Sequence, residues 1–469
     1  MKKLADYMPE ISMCVRCGTC RSTCPTLITL GRETASARGK LTLIDACISG
    51  EIELSDTFVK HISECLLCGA CQQSCPNSIP VPEIIMAARA EIINDRGLPL
   101  ITSAIMKGLR EPDGFVGKTL KLASFAQRVI FKDASNAGGL QRRLPLQYIT
   151  DERLVPPLAK RFFMDIVKKD NPPPLNPLPL GEGNLRGIEL FSSPLTGGGE
   201  ACPELVEGGQ GEKGLSNGKT IKVGFFAGCL INYVMPDIGL ASLKVLDRAG
   251  ADVIVPHGQT CCGMPAISMG DFEDARALAL INLEVFEAHD LDFITISCAT
   301  CTDGLKNKFR KLLEDEGPEM KRRVDVFCGK VRDITDLLVN ELKLPASISG
   351  LKASEGGTVV TYHDPCHLRR GLGIKDEPRQ LIETAGFNLK EMKHPCRCCG
   401  LGGSFSITNY ELSSEINRLK AEDIKGTGAE IVATACPGCM VQLRDGLHKI
   451  DFKVEVKHIV ELLAEMLPI

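Results

Sequence analysis

Cysteine spacing constrains this chain more than any other feature. Of 469 residues, 22 are cysteine, and most fall into short, regularly spaced groups. Two explanations compete for so many thiols, a disulfide scaffold and metal ligation. Disulfide scaffolds belong to small secreted domains that cannot build a core. This chain is long enough for about three domains, and it opens MKKLADYMPE, without the apolar run of a secretory signal. The reading is therefore metal ligation in a reducing, cytoplasmic setting. No apolar stretch reaches the roughly 18 residues that span a bilayer. A net charge of −4, no Trp and only 5 Tyr give no case for a nucleic-acid partner.

Residues 1–100 carry two copies of C-x2-C-x2-C-x3-C-P: Cys14, Cys17, Cys20, Cys24 and Pro25, then Cys65, Cys68, Cys71, Cys75 and Pro76. This is the run of two-cluster ferredoxins, whose fourth cysteine serves the other cluster. Three thiolates two residues apart wrap one face of a cubane, and Gly18 and Gly69 leave room at the tight turn. The assignment is therefore crossed. Cys14, Cys17, Cys20 and Cys75 form one [4Fe–4S] ligand set, and Cys65, Cys68, Cys71 and Cys24 the other. Each Cys-Pro step reads as a helix start, because proline at the first helical position needs no N–H. Zinc ribbons also use C-x2-C pairs, but not two full four-cysteine runs of this kind. Ala35–Cys47 reads as helical, so the domain is expected to be mostly α-helical. Cys47 reads as a core thiol.

Residues 101–170 carry no cysteine and read as a helical, basic connector, with 13 Lys/Arg against 6 Asp/Glu between Lys107 and Lys169. That stretch is open to two readings, a docking surface for anionic lipid or an acidic partner and a solvated helical linker. Residues 171–219 are rich in Pro and Gly and lack periodicity. They read as a disordered linker or insertion, with Cys202 inside it and not a ligand.

From Ile221 the pattern changes to short β-type runs alternating with helices: strands at Lys222–Ala227, Asp252–Val255 and Phe293–Ser297, helices at Leu240–Ala249 and Phe272–His289. The order βαβαβ argues for an α/β domain. The pattern then repeats. Cys229, Cys261 and Cys262 recur at Cys366, Cys398 and Cys399, and Cys298 and Cys301 at Cys436 and Cys439. VRDITDLL (331–338) and VKHIVELL (456–463) read as matching closing helices. Internal duplication accounts for this, with domains at 220–345 and 355–469. Each cysteine follows a strand, and in an open α/β sheet the carboxyl ends of the strands gather at one edge. Five thiolates are thus expected to converge on one site per repeat. That exceeds the four ligands of tetrahedral zinc, and adjacent cysteines suit a ligand bridging two metals. The second repeat adds YHDPCHL (362–368), with His363, Asp364 and His367 around Cys366. It also adds CRCCGLGGSF (396–405), with Cys396 and glycines Gly400, Gly402 and Gly403. The glycines do not complete a dinucleotide loop and read as a close approach of backbone to a cluster or substrate. The two histidines read either as hydrogen-bond donors to a cluster or as ordinary loop residues.

The repeated C-x31-C-C-G-x34/35-C-x2-C pattern resembles the cysteine-rich (CCG) domain of heterodisulfide reductase subunits and of the glycolate oxidase iron–sulfur subunit. The resemblance implies an α+β multidomain chain: an α-helical 2[4Fe–4S] ferredoxin domain followed by two tandem α/β CCG domains. It also implies one or two further, non-cubane [4Fe–4S] clusters, on Cys229, Cys261, Cys262, Cys298 and Cys301 and on Cys366, Cys398, Cys399, Cys436 and Cys439. Zinc or free thiols in one or both repeats is the competing reading. The domain order and the run GRETASARGKLTLI (31–44) are similar to the glycolate oxidase group. That points to an iron–sulfur subunit of a glycolate or D-lactate dehydrogenase-type complex, passing electrons from a flavoprotein partner toward quinone or a membrane-bound acceptor. Two alternatives stand beside it, a heterodisulfide reductase-like catalytic subunit and a relay for an electron-transfer flavoprotein. The chain shows no flavin or nicotinamide motif, so electrons must come from a partner. A cytoplasmic location, with a peripheral position at the inner membrane face as a variant, fits each reading.

Overall fold

A computed structural model of the chain describes residues 2–110, 114–133, 139–142, 153–170, 220–344 and 357–467. The Pro/Gly-rich stretch 171–219, with Cys202, lies outside the described residues.

The first hundred residues are helical, with no strand among those described. Local signals set the boundaries. Ser36 caps the helix Ala37–Ile48 by accepting the Gly39 N–H at 3.0 Å, and Ser55 caps Asp56–Ser63. Leu4, Tyr7, Leu41, Ile44, Phe58, Ile62, Ile84 and Ile85 close a core of their own. The two cysteine runs are shaped alike. Arg16 and Gly18 in one, and Leu67 and Gly69 in the other, take positive φ (55° and 85°, 56° and 71°). Alternating left-handed residues curl a backbone into a concave nest of N–H groups suited to an anionic guest.

The two Cys-Pro steps differ from expectation. Cys24 caps the helix Pro25–Leu30 as read, but Pro76 enters a turn, and the next helix starts only at Val81. A helix begun at Pro76 would bury Pro80 in its interior, where proline removes a hydrogen bond and clashes with the preceding turn.

The connector is not wholly helical. After Leu100–Arg110 and Phe115–Ile130 comes an antiparallel pair, β1 (Phe131–Asp133) and β2 (Leu140–Arg142), before the helix Phe163–Asp170. The sequence between the two strands includes SNAGG, whose residue types favour turns. The segment straps both repeats. Phe163 packs edge-on against Phe225, 5.7 Å between centroids, and Asp445 accepts the Leu154 N–H at 2.8 Å. Arg110 pairs with Asp274, Lys121 with Asp165, and Arg153 donates to the Ser406 carbonyl. Part of the basic excess is thus used internally.

Each repeat is a four-stranded, all-parallel sheet. The first comprises β3 (Lys222–Phe226), β4 (Asp252–Ile254), β5 (Phe293–Ile296) and β6 (Val331–Asp333), in the order β4-β3-β5-β6. The second comprises β7 (Val359–Tyr362), β8 (Asn388–Leu389), β9 (Ile431–Thr434) and β10 (Glu455–His458), in the order β8-β7-β9-β10. Both orders are 2-1-3-4, as duplication requires. Helices cross between the parallel strands, and one continuous apolar core runs through both repeats. The helix Ile459–Met466 lies on the first repeat's Pro236–Arg248, where Lys244 donates to the Ala464 carbonyl at 2.8 Å.

The runs 331–338 and 456–463 are not helices throughout. Each opens with a strand that completes its sheet, β6 and β10, and turns helical only after Asp333 and His458. The alternating Val-x-Asp and Val-x-His pattern pairs with β5 and β9. The third residue then caps the following turn: Asp333 Oδ1 accepts the Thr335 N–H at 2.9 Å, and His458 Nδ1 that of Val460 at 3.3 Å.

Candidate metal centres and the shared cavity

The helical domain holds two small cavities. One is lined by Cys14, Cys17, Cys20, Cys71 and Cys75, and the other by Cys24, Cys65, Cys68 and Cys71. The first wall thus draws three thiols from one run and two from the other, and the second draws three and one. The run GRETASARGK builds the floor of the second. The Ala35 carbonyl accepts from Thr26 Oγ1 at 3.0 Å and from Lys40 Nζ at 3.0 Å, and it lies 3.6 Å from Cys24 Sγ. Lys40 is buried, and its ammonium pKa is lowered by that burial despite the thiols of Cys65 and Cys24 nearby.

In the two sheets the cysteines follow the carboxyl ends of the central strands, where an open parallel sheet binds ligands at its switch point. Cys229 comes after β3, Cys298 after β5, Cys366 after β7 and Cys436 after β9. The two sets of thiols lie side by side. A cavity of about 750 Å³ is lined by Cys229, Cys262, Cys298 and Cys301 of the first repeat and by Cys366, Cys398, Cys399 and Cys439 of the second. Cys68 of the helical domain joins the same wall. Cys261 lies behind Cys229 in a side pocket. Cys436 meets the first repeat directly, its Sγ 3.6 Å from Thr300 Oγ1, while Ala299 N–H donates to Ala435 O at 3.1 Å. The two strand ends therefore abut, and both thiol sets open on one space.

The thiols are crowded enough to sort their protons. Hydrogen bonds from Cys366 and Cys399 hold Cys398 well below the usual thiol range, and those from Cys298 and Cys439 do the same for Cys436. Cys261 and Cys301 draw Cys262 down to about 5. Burial pushes Cys68 up to about 12. No disulfide joins the described cysteines, although Cys399 and Cys439 are only 3.6 Å apart. Buried thiolates persist only where cations or metals compensate them. The donors present would fit iron–sulfur centres.

The histidines differ in kind. His367 lies on the cavity wall, and its Nδ1 pairs with Asp303 of the first repeat at 2.8 Å. Despite deep burial, hydrogen bonding and charge from His367 hold Asp303 at about 2. His363 is buried, neither ring nitrogen has a hydrogen-bond partner among the described residues, and burial lowers its pKa to about 3. Its ring, Cys399 and Cys439 offer ligand atoms within 4.8 Å of one another. Asp364 does not face a ligand. It anchors the loop, accepting from Arg369 at 2.7 Å and from Arg379 at 2.9 and 3.1 Å.

Several contributors escaped the sequence reading. Arg370 donates to the carbonyls of Cys68 (3.2 Å) and Cys396 (2.8 Å), joining a helical-domain cysteine loop to the second repeat. Arg89 donates to Cys65 O at 2.6 Å and Ser268 O at 2.5 Å, joining the other loop edge to the first repeat. Neither carries a motif, since both act on carbonyls distant in sequence. Gly402 and Gly403 line the shared cavity, and a Cβ on Gly402 would lie 2.7 Å from the Leu66 side chain. Cys47 sits partly buried at the edge of the helical core, and Cys328 donates to the Leu305 carbonyl at 3.1 Å.

Comparison with known proteins agrees with these observations. The chain matches the 4Fe-4S dicluster domain over residues 10–79 and the cysteine-rich domain (CCG) over 223–306 and 360–444. It is 30% identical to a probable glycolate oxidase iron-sulfur subunit of Bacillus subtilis, over 97% of this chain and 94% of that one. It is 36% identical to a fumarate reductase (CoM/CoB) subunit of Methanothermobacter marburgensis, covering 52% of this chain and 46% of the relative. Lactate utilization protein A of Bacillus subtilis is 31% identical over 52% of this chain and 99% of its own length. Among the described residues no helix is long and apolar enough to cross a membrane.

Proposed function

Because the chain belongs to the glycolate oxidase iron–sulfur subunit family, a group of oxidoreductase subunits that transfer electrons, we propose that it serves a glycolate- or D-lactate-type dehydrogenase complex, carrying electrons from a flavoprotein partner toward quinone. The observation that carries this is likeness over the full domain order, 97% of the chain against a glycolate oxidase subunit. In this reading Cys14, Cys17, Cys20 and Cys75 hold one [4Fe–4S] cluster, and Cys65, Cys68, Cys71 and Cys24 the other. The five cysteines of each repeat hold a further centre.

When bound, such clusters supply one-electron carriers whose potentials follow burial and hydrogen bonding to sulfur. The chain's own residues set those conditions. Lys40, Arg89 and Arg370 bring cationic side chains to the Cys65–Cys71 loop and oppose its thiolate charge. Arg370 ties that loop to the cysteines of the second repeat, fixing the distance between the two sites. Leu66, Phe405 and Ile416 pack around Cys398 and keep water from the junction.

A second reading, disulfide reduction, draws on the shared cavity. Eight cysteines from two repeats line one space, with the His367–Asp303 pair on its wall, and the relative that matches over half the chain is named for CoM/CoB. The two separate in one experiment. The chain is purified anaerobically with its partners and mixed with glycolate or D-lactate. Reduction of its paramagnetic centres through a flavin-binding partner supports the dehydrogenase reading. Disulfide reduction with an artificial donor and no flavoprotein supports the other.

A further inference from the structure

His363 follows the last residue of β7, where the first repeat has Phe226 after the same number of residues from its cysteine. Its backbone is fixed on both sides. The N–H donates to Ala433 O at 2.9 Å, and the carbonyl accepts from Thr434 Oγ1 at 3.1 Å. The neighbouring Asp364 is clamped by two arginines. These bonds fix the position of the His363 backbone at the end of the strand.

Fully buried, the imidazole presents two polar nitrogens and no protein partner for either among the described residues. Leaving a buried polar atom unsatisfied is costly, and native structures rarely do so without a reason. The neighbours supply one. Cys399 Sγ and Cys439 Sγ are 3.6 Å apart, and the ligand atoms of all three residues fall within 4.8 Å of one another. Tetrahedral metal–sulfur bonds of about 2.3 Å place two sulfurs about 3.7 Å apart. The sulfur pair is therefore already at ligand spacing, with a nitrogen donor beside it. In the first repeat Cys262 and Cys301 have Phe226 in that place, which offers no donor.

We propose that the metal centre of the second repeat carries a nitrogen ligand, His363, acting with Cys399 and Cys439, whereas the centre of the first repeat is bound by sulfur alone. This rests on the reading that the second cysteine set holds an iron centre. Iron–sulfur centres with imidazole ligands have higher reduction potentials than all-thiolate ones. The second repeat is then the site of higher potential, where an electron settles, and it is the repeat that Arg370 joins to the Cys68 loop.

The test uses the full chain, purified anaerobically with its clusters and labelled with ¹⁵N-histidine. Pulsed EPR at poised potentials reads the hyperfine coupling of metal-bound nitrogen. A strong ¹⁵N coupling is expected in the wild type and in His367→Gln. It should be lost in His363→Phe, which installs the first repeat's residue, together with a downward shift of one reduction potential. If His363→Phe does not fold, His363→Cys keeps a donor, and it too should lose the coupling. Iron that Cys399→Ala removes, without nitrogen coupling in the wild type, overturns the ligand assignment and leaves the iron centre standing. Iron content unaffected by Cys399→Ala overturns both.

Discussion

Position by position, the first repeat has Phe226, Ala227, Leu230 and Tyr233 around Cys229, where the second has His363, Asp364, His367 and Arg370 around Cys366. Both present five cysteines from a 2-1-3-4 sheet, so the scaffold and the thiols are held in common. At these four positions the first repeat carries no charge. The second is polar, anchored by Asp364 and joined by Arg370 to the helical domain. The difference teaches that the duplicated fold provides two places for thiols, and the residues beside the cysteines decide what each place can do. An exchange in the other direction is Asp303, matched by Val441, and that carboxylate reaches across the cavity to His367.

The comparison is most severely tested by emptying one side. Cys262→Ala and Cys399→Ala should each remove about four irons, one cluster's worth, with iron and sulfide per chain as the measure. If either substitution empties both repeats, the shared cavity holds one joint centre and the comparison fails.

Next in size is the contact of each repeat with the helical domain. A Cβ on Gly270 would lie 2.4 Å from Ala90 N, whereas one on Gly402 meets the end of the Leu66 side chain. Backbone cannot yield as a leucine terminus can. Gly270→Ala should therefore destabilise by about 3–5 kcal/mol and Gly402→Ala by about 1–3 kcal/mol, read from unfolding midpoints. The reverse order would show that the second repeat is the one held more rigidly.

Asp333 and His458 occupy equivalent capping positions and should answer pH with opposite sign. Burial raises Asp333 to about 7, so the folded state keeps a proton that the unfolded chain releases near 4. Its contribution is full below about 4 and lost as pH rises through about 7. Burial lowers His458 to about 4 from 6.5, so its contribution is present above 6.5 and lost as pH falls through about 4. Asp333→Asn, which keeps the capping oxygen, should stabilise by about 1–3 kcal/mol at pH 8 and be near neutral at pH 4. Thermal unfolding across pH 4–8 checks this; a benefit at pH 4 instead would contradict it.

The smallest expected effect belongs to Arg370→Met. Removing a cation beside Cys68 and Cys366 makes an added electron less favourable. One centre's potential should fall by on the order of 60 mV, tenfold for a one-electron couple. Redox titration followed by EPR reads it, and an upward shift would contradict the assigned role.

What the sequence disclosed divides along physical lines. Cysteine spacing is a covalent record of coordination, and parallel strands buried on both faces stand out as short apolar runs. So the cysteine groups, the duplication and strands such as Phe293–Ile296 were legible. The strands at 331–333 and 456–458 were not, because three residues followed by a helix carry a helical period overall. Pro76 misled because its helix was forbidden by Pro80, further along. The shared cavity, Arg89 and Arg370 depend on contacts between residues up to 302 apart in sequence, for which no local pattern exists. His363 was noticed beside His367 but not distinguished from it. Only the fold separates the ring with a carboxylate partner from the ring with none.

The central claim is that both repeats hold iron centres in addition to the two of the helical domain. Iron and acid-labile sulfide per chain, measured on the anaerobically purified complex, test it directly. The account predicts on the order of sixteen irons, four clusters of four; about eight would leave the repeats without iron and contradict it.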